Sequence, residues 1–119
     1  MAVLALGALA QEDEGPPMTK LNILVTTQGG HPVDHASVVV RFVEGHSVFK
    51  LGKAVHDTYE LRTNEEGVVK VPAVRQGKIR IQVIAKGYQT FGQIFDITQQ
   101  EKNVTIKLNP PQQQYSAHQ

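Results

Sequence analysis

The sequence predicts an all-β protein, an antiparallel sandwich or barrel, on three observations. Apolar residues alternate with polar ones at a period of two, turn signals built on glycine and proline recur where those runs end, and no long stretch keeps a helical period. Alternation of this kind puts one row of side chains in a core and leaves the other row in water. The chain has 119 residues, one domain's worth, and is long enough to bury a core without metal or disulfide staples.

Each element follows in chain order. Residues 1–10 read as a short or truncated signal peptide: an apolar run closes on Ala8-Leu9-Ala10, the small-residue pattern that signal peptidase cleaves, although no Lys or Arg precedes it. That run is well short of the roughly 20 apolar residues that cross a bilayer. An acidic, proline-bearing linker, 11–19, follows it. Together these predict export to the periplasm or the extracellular space, with no membrane-spanning segment after processing. The globular part is expected over 20–109.

Leu21, Ile23 and Val25 form the first alternating run, which stops at the turn signal Gly29-Gly30-His31-Pro32. Val38, Val40 and Phe42 share one face of the second. The stretch 44–57 is ambiguous, because Val48, Leu51 and Val55 have helical spacing that Gly45 and Gly52 interrupt. Short strands are expected over 59–62 and 68–71, joined by Asn64-Glu65-Glu66-Gly67 as a hairpin with glycine at a positive φ. Ile79, Ile81 and Val83 alternate with Lys78, Arg80 and Gln82 in the clearest strand, bracketed by Gln76-Gly77 and Lys86-Gly87. Residues 89–97 give a sixth strand, and Val104, Ile106 and Leu108 alternate with Asn103, Thr105 and Lys107 in a seventh. The polar residues 110–119 read as a flexible tail.

The residues resemble a known family. Gly30-His31-Pro32-Val33 followed by Ala36 and Val38 is similar to the G-x-P-V-x-x-A-x-V opening of carboxypeptidase regulatory-like domains. Thr63-Asn64-Glu65-Glu66-Gly67 with Val69 and Val71 resembles that family's T-D-x-x-G-x-F-x-(I/L/V) turn. Pro72, Val74, Gly77, the run from Ile79 to Ala85 and Gly87-Tyr88 resemble its L-P-x-G-x-Y-x-L-x-V-x-A-x-G-Y stretch. The sequence departs from the pattern at Ile79, where the family carries an aromatic, and in the longer 44–57 segment. The resemblance implies a seven-stranded antiparallel prealbumin-like (immunoglobulin-like) β-sandwich, of a kind found as non-catalytic accessory modules in exported bacterial proteins.

Composition and motifs exclude several chemistries. No cysteine is present, which removes disulfides, thiolate metal sites and cysteine nucleophiles. A net charge of +1 argues against a nucleic-acid partner. Gly45-His46-Ser47 lacks the second glycine of a nucleophile elbow, and no phosphate-cradling loop is present. The Tyr-Arg-Gly-Ser signature of the transthyretin-related hydroxyisourate hydrolases is absent, Tyr115-Ser116-Ala117-His118 standing in the tail instead. The expectation is therefore a protein that is not an enzyme and needs no cofactor.

Gly30, Pro32, Gly67, Pro72, Gly77 and Gly87 are assigned to turns or strand starts, and Tyr88 to a corner in which its hydroxyl bonds the backbone. His31, Asp34 and His35 are the one cluster of metal-ligating types in a turn, with His46 and His56 farther on. Their spacing matches no metal motif, so they read as solvated turn residues and no metal is assigned. Phe49, Lys50, Lys53, Tyr59 and Tyr115 are the candidates for contact with a partner. Phe49, Tyr59 and Tyr115 are also the only aromatics suited to a sugar platform. The leading expectation is a module that binds or braces a protein in the cell envelope. The alternatives are a transthyretin-like oligomer that holds a small ligand or metal, and a carbohydrate-binding module that takes a glycan.

Overall fold

The computed structural model describes residues 15–44 and 58–111. Seven strands run in the order β1 (Met18–Thr27), β2 (Ser37–Glu44), β3 (Thr58–Arg62), β4 (Val68–Arg75), β5 (Gly77–Ile84), β6 (Phe91–Ile97) and β7 (Glu101–Leu108). They form a three-stranded sheet ordered β4-β1-β7 and a four-stranded sheet ordered β3-β2-β5-β6. The expected all-β, seven-stranded sandwich is what forms. One pair departs from a wholly antiparallel arrangement: β1 and β7 run parallel, in unbroken register from Lys20 opposite Glu101 to Thr27 opposite Leu108. Parallel neighbours need a long crossover between them, and here the whole of β2 to β6 supplies it.

The alternating rows meet as the core. Leu21, Ile23 and Val25 of β1 and Val104, Ile106 and Leu108 of β7 face Val38 and Val40 of β2 and Ile79, Ile81 and Val83 of β5, all of them buried. Burying a valine, leucine or isoleucine side chain is worth about 1.5–3 kcal/mol relative to leaving it in water, so this β-branched interior is the main source of stability. Partly buried Phe42, Leu61, Tyr88, Phe91 and Phe95 pack around its margin.

In β4 the alternation slips by one residue. Val69 and Val71 point inward, and the next inward residue is Val74. The pairing to β1 shifts at the same place, from Leu21 opposite Val71 to Thr19 opposite Val74, so an extra residue on β4 is accommodated as a bulge. Pro72 occupies this bulge. It was expected at a turn or strand start; it lies instead inside an edge strand, at the position where a missing N–H costs no ladder bond.

The segment Asn64-Glu65-Glu66-Gly67 is a turn, as expected, but not a hairpin. Asn64 Oδ1 accepts from the N–H groups of Glu66 and Val68, and the Gly67 N–H donates to Asn64 O at 2.9 Å. The strands it joins, β3 and β4, lie in different sheets. The chain changes sheets again between β4 and β5 through Gln76 alone, with Gly77 at a φ of 138°.

Gly67 must be glycine for two reasons. Its φ is 77°, and a Cβ there would stand 2.5 Å from the Val25 carbonyl oxygen. That closeness lets the Val25 N–H donate to Gly67 O at 2.8 Å, while the Val33 N–H donates to Val25 O at 3.0 Å. Thr63 completes the knot. Its buried hydroxyl donates to Val33 O at 2.7 Å and accepts from the Ala36 N–H at 2.8 Å, and its own N–H reaches Ala36 O at 3.0 Å. The loop after β1 and the turn after β3 are thereby tied across the two sheets.

Thr63→Val keeps the side-chain volume but strands a buried N–H and a buried C=O. It is expected to cost about 1–3 kcal/mol in denaturant unfolding, with Thr63→Ser recovering most of the loss. Equal stability of the valine variant and the parent would show that this hydroxyl is not the tie described.

Candidate partner-binding edge

A sandwich leaves four edge strands, here β3, β4, β6 and β7. Unpaired edges invite another strand, and folded proteins protect them with short length, proline, bulges or charge. Three of these edges carry such protection. β3 has only five residues. β4 holds both Pro72 and the bulge. β7 carries Glu101, Lys102 and Lys107, and its Asn103 side chain accepts from Asn22 Nδ2 at 2.9 Å.

β6 has none of these devices over Phe91-Gly92-Gln93-Ile94-Phe95, a run with no charge and no proline. It pairs with β5 from Val83 opposite Phe91 to Gly77 opposite Ile97. Directly opposite residues share a face, so Phe91, Gln93 and Phe95 lie on the core side and Gly92, Ile94 and Asp96 on the outer side. On the core side Ile81 is fully buried, yet its partner Gln93 is exposed. The core takes in Ile97 at the end of β6 and is flanked by the partly buried Phe91 and Phe95, but the middle of β6 projects past it. The Phe91 and Phe95 rings flank Gln93, tilted with centroids 6.5 Å apart.

On the outer side Ile94 is 49% exposed, and the space where a Gly92 side chain would stand is open. Arg80, Gln82, Gly92, Gln93 and Ile94 line a shallow groove there. Arg41 and Arg80 stand directly opposite each other across β2 and β5, while Lys78 stands opposite Asp96 of β6. The basic positions Lys78 and Arg80 thus belong to a mixed surface.

A second recess of about 260 Å³ opens at one end of the sandwich, lined by Pro16, Pro17, Phe42, Arg75, Gln76, Gly77, Asp96 and Thr98. The Arg75 guanidinium lies 5.8 Å from the centroid of the Phe42 ring, close enough for a cation–π contact. Gln76 holds one wall, its side-chain amide donating to Met18 O at 3.1 Å and Gln99 O at 3.2 Å.

The residues singled out in the sequence are scattered. Gly30, Gly77 and Gly87 all have positive φ, and Pro32 forms an isolated bridge with Thr26. His31 is exposed. His35, itself at a φ of 62°, places Nδ1 at 2.9 Å from Asp34 Oδ1, with both side chains well exposed. Among the described residues no three histidines or carboxylates gather as a metal site. Tyr88 packs half-buried against the core margin, its N–H donating to Ala85 O. The hydroxyl-to-backbone bond expected of it is made by Tyr59 instead, whose hydroxyl donates to Ala73 O at 2.6 Å. Tyr59 was a candidate for partner or sugar contact. Half-buried, it spans from β3 to the bulge of β4 and ties the two sheets along that side. Phe49, Lys50, Lys53 and Tyr115, with His46 and His56, fall outside the described residues.

No protein-family model matches the chain, and no curated protein sequence matches it. Solved structures do match in fold. A 3-chlorocatechol 1,2-dioxygenase from Rhodococcus opacus 1CP superposes with a TM-score of 0.65 and 11% identity, over 85% of this chain and 63% of that one. A catechol 1,2-dioxygenase from Pseudomonas arvilla C-1 gives a TM-score of 0.62 at 12% identity, over 85% and 55%. A DUF3823 family protein from Parabacteroides merdae gives 0.54 at 14%, over 81% and 48%. The chain spans less than two thirds of each of these structures, and at such identities the likeness is one of fold. It still corrects one expectation. The chain was expected not to be an enzyme, and these dioxygenases are enzymes built on the same fold. Missing elbows and phosphate loops exclude particular chemistries only, and a sandwich of this shape is no argument against catalysis.

Removing the tie between the sheets with Tyr59→Phe leaves the ring in place and deprives Ala73 O of its donor. The expected loss is about 1 kcal/mol in denaturant unfolding. An unchanged midpoint would mean that water replaces the hydroxyl without cost.

Proposed function

We propose that this chain is an exported, partner-binding β-sandwich module of the carboxypeptidase regulatory-like kind, and that it binds by accepting an extended segment of protein along β6. The observation that carries this reading is the uncharged, proline-free edge at residues 91–95, beside three edges that are each protected. Strand addition takes its affinity from backbone hydrogen bonds and its selectivity from side chains on either face. On β6 those faces offer the Phe91 and Phe95 rings on one side and the Gly92 recess beside Ile94 on the other.

The order and spacing of the turn residues support the family reading. Gly30-His31-Pro32-Val33 and Thr63 to Gly67, distant in sequence, are knotted together through Val25, Val33 and Thr63. Ala8-Leu9-Ala10 supports export. A periplasmic or extracellular setting would supply the partner.

A photo-cross-linking amino acid placed at position 94, in the full chain within the envelope of producing cells, tests the site. Discrete protein adducts are expected from position 94 and not from Thr105, on the protected β7. No adduct at 94, or the same adducts from both positions, would overturn the assignment of the edge.

A further inference from the structure

We infer that the strand accepted by β6 is β6 of a second copy of this chain, giving a two-fold dimer with one continuous eight-stranded sheet. This rests on the docking reading above and names its partner. A two-fold interface must be self-complementary, so each residue has to suit the residue that the symmetry sets against it.

The run Phe91-Gly92-Gln93-Ile94-Phe95 meets that condition about Gln93. Antiparallel pairing with Gln93 on the axis sets Phe91 against Phe95 of the second copy, and Gly92 against its Ile94. The phenylalanines then meet on the core side, where the rings of each copy already sit 6.5 Å apart and half-buried. The exposed Ile94 falls over Gly92 of the other copy, where no atom lies within 4 Å of a would-be side chain. The two Gln93 amides face each other, and each carries both a donor and an acceptor. Asp96 falls beside Thr90, so no like charges are opposed.

Other registers lose these matches. A slip by one residue turns core-side residues against outer ones. Moving the axis to Ile94 sets Phe95 against Gln93 and Asp96 against Gly92. Only pairing about Gln93 matches phenylalanine with phenylalanine and isoleucine with glycine at once.

The test is sedimentation velocity on the full chain, alone and with charge variants at the axis. The parent is expected to sediment as a dimer at micromolar concentration. Because Gln93 meets its own copy, Gln93→Lys sets two ammonium groups together and Gln93→Glu two carboxylates. Each variant alone is expected to self-associate about fivefold more weakly. An equal mixture of the two is expected to recover the parent's association as a heterodimer. Gln93 is exposed, so both variants keep the monomer fold, which far-ultraviolet circular dichroism verifies.

A parent that stays monomeric at high concentration overturns the proposal, as does a dimer indifferent to both charges. If that monomer still cross-links to a different protein from position 94, the docking reading survives and the second copy is ruled out as its occupant. If it cross-links to nothing, both fall.

Discussion

Two sheets of unequal width share one core here, and the three-stranded sheet is too narrow to cover the four-stranded one. The consequence is legible in one cross-strand pair: Ile81 is fully buried and Gln93, opposite it on the same face, is exposed. An isoleucine on β5 draws its stability from the facing β-branched layer, whereas the middle of β6 has no such layer above it. The sheet must therefore end in a strand whose inner face is only half used. On the other side the same mismatch is met by Tyr59, which reaches from β3 to the carbonyl of Ala73 and closes the gap with a hydrogen bond. Nothing equivalent among the described residues spans from β6 to β7.

Holding the two sheets in this offset requires the chain to cross between them tightly. The crossing after β3 is fixed by Thr63 and Gly67, which bond to Val25, Val33 and Ala36 from the opposite sheet and its following loop. The crossing after β4 is compressed to Gln76, whose side chain caps backbone carbonyls of Met18 and Gln99. Short, fully bonded crossings leave little freedom for the sheets to slide. The half-covered position of β6 is thus a property of the whole framework.

Strands that alternate cleanly were legible in the sequence because each sees the core on one side only: β5 through Ile79, Ile81 and Val83, and β7 through Val104, Ile106 and Leu108. Strand partners were not. The turn at Asn64 to Gly67 has the same local bonds whether its flanking strands pair or diverge, so a hairpin was read where the chain changes sheets. Pro72 looked like punctuation, because a bulge that absorbs it depends on the register with Thr19 and Leu21. The hydroxyl-to-backbone bond expected of Tyr88 falls to Tyr59 for a related reason: which hydroxyl meets a free carbonyl depends on where the bulge places Ala73. The run at 91–95 was read as an ordinary strand, since its lack of charge acquires meaning only once β6 is known to be an edge. The non-enzyme expectation failed differently, by treating a few missing motifs as the whole range of catalytic chemistry.

Amide hydrogen exchange on the full chain, compared between dilute and concentrated protein, tests the central claim that β6 is the edge at which two copies of this chain pair. The account predicts that amides within 91–97 gain protection as concentration rises, while those of β3, β4 and β7 do not change. Protection gained on any of the other three edges, or on none, would contradict it.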